Sequence, residues 1–178
     1  MHSRELFLPH QLPYTLMRLA EQLKENHGDF ERSCLIGIQP RGVYLARRLY
    51  RLLTESQLKV RYGELDVTFH RDDYKMRAPL LPNSTHIDFL ITEQKVILVD
   101  DVLYTGRTVR AALDALLSFG RPSLVELLTL VDRKRKRDMP IMANYVGIEI
   151  DSLDSERVTV EWEETHGKDA VRIHPKSL

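Results

Sequence analysis

The run VILVDDVLYTGRT, residues 96–108, leaves the chain few ways to fold. Its first half is a buried-type strand of branched apolar side chains, and that strand runs directly into Asp100 and Asp101. Two adjacent carboxylates at a strand end are expensive unless they hold something polar. Carboxylates accept hydrogen bonds and hydroxyls donate them, so a pair of ribose hydroxyls suits the two acids; a metal ion is the other obvious partner. Tyr104-Thr105-Gly106-Arg107-Thr108 then opens a helix, where free backbone N–H groups, a glycine and two hydroxyls make an anion pocket. The bland alternative makes the acids solvated turn residues and Thr105 a helix cap. The tight succession of strand, acid pair, Thr-Gly-x-Thr and helix favours ribose next to a phosphate as the ligand.

The flanking sequence predicts how this run is housed. Leu12, Leu16, Leu19 and Leu23 form one stripe of a helix over 10–27, which Asn26-His27-Gly28 stops. A short apolar strand, Cys34–Ile38, turns at Gln39-Pro40-Arg41-Gly42 into a helix over about 43–54. Val60–Phe69 reads as a strand, and residues 71–93 then lose all periodicity, as a functional or mobile loop does. After the strand at Lys95–Val99, the residues Val109, Ala112, Leu113, Leu116 and Leu117 form a helix stripe, closed by Gly120-Arg121-Pro122. Ser123–Val131 is a strand, 132–140 a charged loop, and Tyr145–Ile150, Arg157–Glu163 and Ala170–His174 are further short strands. This alternation predicts an α/β fold, a mostly parallel central sheet flanked by helices, in one domain over residues 1–178. Ligands of such sheets lie beyond the carboxyl ends of the strands, which selects the loops 39–42, 100–108 and 132–140.

Composition narrows the partners. Lys plus Arg and Asp plus Glu both number 26, so net charge gives no push toward nucleic acid and any such binding needs a local basic patch. Arg133, Lys134, Arg135, Lys136 and Arg137 are a candidate patch; the alternatives are a solvated loop or one that pairs with substrate phosphates. The single cysteine, Cys34, excludes an intrachain disulfide and reads as core filler. No apolar run is long enough to cross a membrane and no signal-peptide pattern opens the chain, so a cytoplasmic protein is expected.

The 96–108 run resembles the PRPP (phosphoribosyl pyrophosphate) motif of the type I phosphoribosyltransferases. The resemblance implies that Asp100 and Asp101 hold the ribose 2′- and 3′-hydroxyls, and that the loop from Val102 and Leu103 through Thr108 wraps the 5′-phosphate. It implies that Gln39-Pro40-Arg41-Gly42 binds pyrophosphate, with a cis bond expected at Pro40–Arg41, and that Mg²⁺ arrives on the pyrophosphate. The long 71–93 segment resembles the family's flexible hood, which makes Arg71 either a catalytic group that stabilises departing pyrophosphate or an ordinary loop arginine.

A closer likeness runs along nearly the whole chain: IGIQPRGVYLARRL, GELDVTFHRDD, QKVILVDDVLYTGRTVRAALDALLSFGRPS, LTLVDRKRKRDMPI and NYVG resemble the PyrR family, regulators of pyrimidine operons that also act as uracil phosphoribosyltransferases. That resemblance implies conversion of uracil and PRPP to UMP and pyrophosphate, with the base against 132–146. Arg137, Met139, Ile141, Tyr145 and Val146 are the candidate base-site residues, Tyr145 being equally a core aromatic. It also implies a homodimer or higher assembly and binding of pyrimidine-operon leader RNA, for which Arg18, Arg133, Lys134, Arg135 and Lys136 are the candidates. Three residues depart from the family's RNA-facing pattern: Met17 stands for a threonine, Glu21 for a histidine and Met142 for an arginine. Two other readings remain open, an RNA-binding regulator using PRPP or UMP only as effector, and a phosphoribosyltransferase of a purine base.

Overall fold

A computed structural model describes residues 3–7, 10–70 and 83–175. In chain order the elements are β1 (Arg4–Glu5), α1 (Gln11–His27), β2 (Ser33–Ile38), α2 (Gly42–Glu55), β3 (Arg61–Leu65), β4 (Lys95–Leu103), α3 (Arg107–Leu116), β5 (Leu124–Arg133), β6 (Tyr145–Ile150), β7 (Glu156–Glu161), α4 (Glu163–His166) and β8 (Ala170–Pro175). A short 3₁₀ turn, Thr68–His70, takes the end of the strand expected over 60–69.

Five strands form a parallel sheet in the order β3-β2-β4-β5-β6. The chain leaves β2 toward β3 on one side, then returns to β4 on the other side. The order therefore reverses between β2 and β4, and the crevice at their carboxyl ends is where such sheets bind ligands. Alternation along the strands feeds two cores. Leu35, Ile97 and Val99 face α1 and α2 through Leu19, Leu23, Leu45 and Leu49. Cys34, Ile36, Val96 and Leu98 face α3 through Val109, Ala112 and Leu116. Cys34 is fully buried and burial pushes its thiol up to about 12, as befits core filler.

Two expectations are corrected, and the last two strands find their place. The helix stripe on α3 runs through Val109, Ala112 and Leu116, whereas Leu113 is 39% exposed and Leu117, just past the helix end, is 71% exposed. The last two strands do not extend the parallel sheet. With β1 they make a second, antiparallel sheet in the order β1-β8-β7, whose Val158, Val160 and Val171, with Trp162 just past β7, join the core on the α1 and α2 face. Finally, residues 83–93 are not a free loop: His86 pairs antiparallel with Glu64, and Ile91 is fully buried with Ile87 and Phe89 packed beside it. Residues 71–82, including Arg71, lie outside the described residues. No helix among the described residues is long and apolar enough to cross a membrane.

Candidate active site

The carboxyl ends of β2 and β4 open into a cavity of about 470 Å³. Gln39, Pro40 and Arg41 line one side, and Asp100, Asp101, Val102, Tyr104 and Thr108 line the floor and the other side. Arg133, Arg157 and Val158 complete the wall. A neighbouring cavity of about 540 Å³ is larger, but its buried Glu64 is already satisfied by Arg47 and by the Tyr62 hydroxyl, both at 2.7 Å. The unsatisfied chemistry lies in the smaller one.

β4 continues through Asp100 and Asp101 to Leu103, longer than the sequence predicts. Val99 and Val102 nevertheless pack into the same core, although an unbroken strand would put residues three apart on opposite faces. The alternation slips across the acid pair, and both acids are buried, 7% and 5% exposed, in the cavity floor. Asp100 Oδ1 accepts the Asp101 N–H at 3.0 Å. Asp101 Oδ2 is buried and has no hydrogen-bond partner among the described residues. Burial pushes the Asp101 carboxyl above the usual carboxylate range, with Arg41 the largest opposing influence. A buried acceptor without a donor is costly, and a ligand hydroxyl would satisfy it.

Two helices begin at this cavity. α2 starts behind Arg41 and α3 behind Gly106; neither has a side-chain cap, and neither carries an acid in its first turn. Each therefore presents backbone N–H donors and the positive end of its dipole. Gly106 takes a left-handed conformation, φ 87°, that turns β4 into α3. Gly42 serves packing: a Cβ there would lie 2.3 Å from the Val99 carbonyl oxygen. The cis bond of this turn is Gln39–Pro40, not the expected Pro40–Arg41. The Gln39 side chain donates to the Ser84 carbonyl at 2.7 Å and so ties the turn to the 83–93 segment.

The other candidates fall in different places. Leu103 is core, its N–H bonded to Thr129 Oγ1 at 3.1 Å. The Thr105 carbonyl accepts the N–H groups of Asp138 and Met139 at 2.9 and 3.0 Å, and Arg107 pairs with Asp138 at 3.0 Å. Arg137 bonds Asp132 and the Tyr104 carbonyl. Met139 and Ile141 pack against Gly106, so residues 137–141 buttress the 104–108 loop. Tyr145 turns toward α1 at the far end of its strand: it is 4% exposed and its hydroxyl meets Asn26 and His27 at 3.2 and 3.1 Å. It is a core aromatic, not a base cover. Val146 offers its carbonyl to Arg18 at 3.1 Å, and Gly147 does the same at 2.7 Å, so Arg18 caps the outer edge of β6.

The basic run is not a free positive patch. Arg133 is 4% exposed and faces inward. Lys134 pairs with Glu149, Arg135 with Asp151, and Lys136 with Asp154. Sequence reasoning missed Arg157 and Val158 as cavity residues, because the tertiary fold alone brings β7 to the end of β4.

The arrangement has two helix N-termini without side-chain caps flanking a buried pair of acceptors, with Arg41, Arg133 and Arg157 around them. It fits a ligand with two anionic groups and vicinal hydroxyls between them. A family model, phosphoribosyl transferase domain, matches residues 10–165. Bifunctional protein PyrR of Desulfosudis oleivorans is 47% identical over 161 residues, covering 89% of each chain. Bifunctional protein PyrR of Bacillus cereus is 45% identical over 166 residues, covering 90% of this chain and 91% of the relative. Among solved structures, a hypoxanthine-guanine phosphoribosyltransferase of Bacillus anthracis aligns with a TM-score of 0.67 at 23% identity, over 83% of this chain and 84% of that one. The hypoxanthine phosphoribosyltransferase of Trypanosoma cruzi aligns with a TM-score of 0.71 at 17% identity, over 97% of each chain. The two structures share the fold with this chain, and the family match and the relatives agree with what the cavity is built to hold: the chain belongs to the phosphoribosyltransferases and, within them, to the PyrR family.

Proposed function

We propose that the chain transfers the ribose 5-phosphate of PRPP to uracil, giving UMP and pyrophosphate. The observation that carries this reading is the buried Asp100–Asp101 pair, one oxygen unpartnered, between two uncapped helix N-termini. In this reading Asp100 and Asp101 accept the ribose 2′- and 3′-hydroxyls. The N–H groups at the start of α3, with Thr105 and Thr108, hold the 5′-phosphate; Arg41 and the start of α2 hold pyrophosphate. The N1–C1′ bond to uracil forms as the bond from C1′ to pyrophosphate breaks, and the N1 proton is released. The ribose acquires oxocarbenium character, which the two carboxylates stabilise better than they do the ground state.

Among the described residues no group of three His, Cys, Asp or Glu side chains is placed to cage a metal. A Mg²⁺ ion carried on the pyrophosphate fits this site better than a resident one, with Asp100 and Asp101 the acids near it. It would neutralise charge on the leaving group. Uracil is preferred to a purine because the PyrR relatives stand at 45–47% identity and the purine enzymes at 17–23%. The test is conversion of labelled uracil or hypoxanthine with PRPP and Mg²⁺; nucleotide from hypoxanthine alone would overturn the substrate.

A second role, binding of pyrimidine-operon leader RNA, is favoured by the bifunctional naming of the relatives. Since the 134–136 side chains are paired with acids, that role requires those pairs to open or another face to serve. A gel shift with leader RNA, with and without UMP and across salt concentrations, tests it; binding that is absent or insensitive to salt rejects it. A homodimer in the cytoplasm completes the proposal, checked by sedimentation velocity and by fractionation.

A further inference from the structure

Arg133 lines the cavity but has no role in phosphoribosyl transfer as described. It ends β5, the strand beside the acid-bearing β4, and it is nearly inaccessible although it lines the cavity. Its guanidinium lies 3.9 Å from the ring centre of Tyr104, the first residue after β4 and the start of the phosphate loop. Its other contacts reach the opposite way. Nε donates to Ser152 Oγ at 2.7 Å, and Nη2 donates to the Leu153 and Glu156 carbonyls at 3.2 and 3.1 Å. Ser152 and Leu153 belong to the connection from β6 to β7 and Glu156 is the first residue of β7, the strand that carries Arg157 and Val158 into the cavity wall. The Tyr104 hydroxyl adds a 3.4 Å bond to Asp154 in the same connection.

One planar cation thus stacks on the phosphate loop and grips the turn that leads to the facing wall. Burial pulls the Arg133 guanidinium below the usual arginine range, a cost that three hydrogen bonds and the Tyr104 ring offset. A lysine would keep the charge but lose the fork and the stacking plane.

We propose that Arg133 is a positioning residue for phosphoribosyl transfer, which sets the gap between the Tyr104–Gly106 phosphate loop and the Arg157–Val158 wall across which the nucleotide is bound. The inference rests on the PRPP-binding reading of this cavity. Misplacing a binding wall by even an ångström weakens transfer strongly, so the position of this gap is a kinetic property as much as a structural one.

The test uses the full-length protein and reads uracil transfer, PRPP affinity by calorimetry and thermal midpoint together. Arg133→Lys is expected to lower kcat/KM for PRPP by roughly tenfold or more and to weaken PRPP binding, in folded protein. Ser152→Ala, which removes one anchor outside the cavity, is expected to move the same parameter the same way by about threefold. Arg133→Lys combined with Tyr104→Leu is expected to fall well short of the product of the two single losses, since both break one contact. Unchanged kinetic constants with only a lowered thermal midpoint, or fully multiplicative losses, would overturn the proposal. Wild-type protein that binds PRPP but turns over no uracil defeats the substrate assignment and leaves the positioning role to be judged by calorimetry; wild-type protein that binds no PRPP defeats both.

Discussion

Asp101 is buried, its Oδ2 lacks a partner among the described residues, and its carboxyl is pushed above the usual range by desolvation. The native state therefore holds this proton at pH values where the unfolded chain has released it. Stability is highest below the unfolded value of about 3.9 and declines as pH rises through the folded one. At neutral pH, where the unfolded chain's carboxyl is ionised, burying this side chain is a net cost to the ligand-free fold. Asp101→Asn is thus expected to raise the thermal midpoint of ligand-free protein at pH 7 more than at pH 4, while uracil transfer falls by about a hundredfold or more. A variant that loses stability at pH 7 and keeps transfer would contradict the ribose-binding role. Gly42 is constrained differently. An alanine Cβ would sit 2.3 Å from the Val99 carbonyl oxygen and 2.9 Å from Asp100 Cα, both backbone atoms that can yield only if α2 and β4 separate. Gly42→Ala is expected to cost about 2 kcal/mol in urea unfolding and to weaken PRPP binding, because the shift occurs at both anion site and acid pair.

Elements that lie away from the cavity carry predictions of their own. At the end of α1, His27 contacts Ser33 at 2.9 Å, Glu126 at 2.9 Å and the Tyr145 hydroxyl at 3.1 Å, with only 2% of its side chain exposed. Burial holds its imidazolium below the ordinary histidine range; Glu126 pulls it back up, and Lys95 adds repulsion. Because the folded value is the lower one, the unfolded chain gains the proton first on acidification. Stability is complete above about pH 7 and is lost as pH falls from about 6.5 toward the folded value. Thermal midpoints measured between pH 7.5 and 5.5 should fall, and His27→Gln should flatten that fall; equal slopes would reject the assignment. The pairs of Lys134, Arg135 and Lys136 with Glu149, Asp151 and Asp154 are exposed and screened by solvent, so each adds little to stability. Replacing all three bases with glutamine is expected to leave uracil transfer within about twofold and to move the urea midpoint only slightly.

Across the whole molecule, the parallel sheet and its helices are legible in the sequence because each strand or helix announces its own period. The leucine stripe of α1 and the branched strands at 33–38 and 95–99 need no distant information. The second sheet is legible only in part: β7 and β8 are expected as strands, but their separate pairing with β1 is not. Its first strand is only Arg4–Glu5, and it forms by pairing with Ile173 and Arg172 at the other end of the chain. The cavity divides the same way. Asp100, Asp101, Arg41 and Thr108 stand out because their chemistry is out of place beside apolar strands. Arg157 and Val158 look like ordinary strand residues until β7 is folded against β4. Arg133 reads as one more base in a run of five, and only burial separates it from its neighbours. Tyr145 is decided by which way its side chain leaves the first residue of β6, which spacing alone does not fix. The most direct measurement is the formation of labelled UMP from uracil by the purified protein, with PRPP and Mg²⁺ both present and then each withheld. The account predicts UMP and pyrophosphate in equal amounts only when both are present, and loss of the product with Asp101→Asn. No UMP from uracil, alongside ready formation of nucleotide from hypoxanthine, would contradict it.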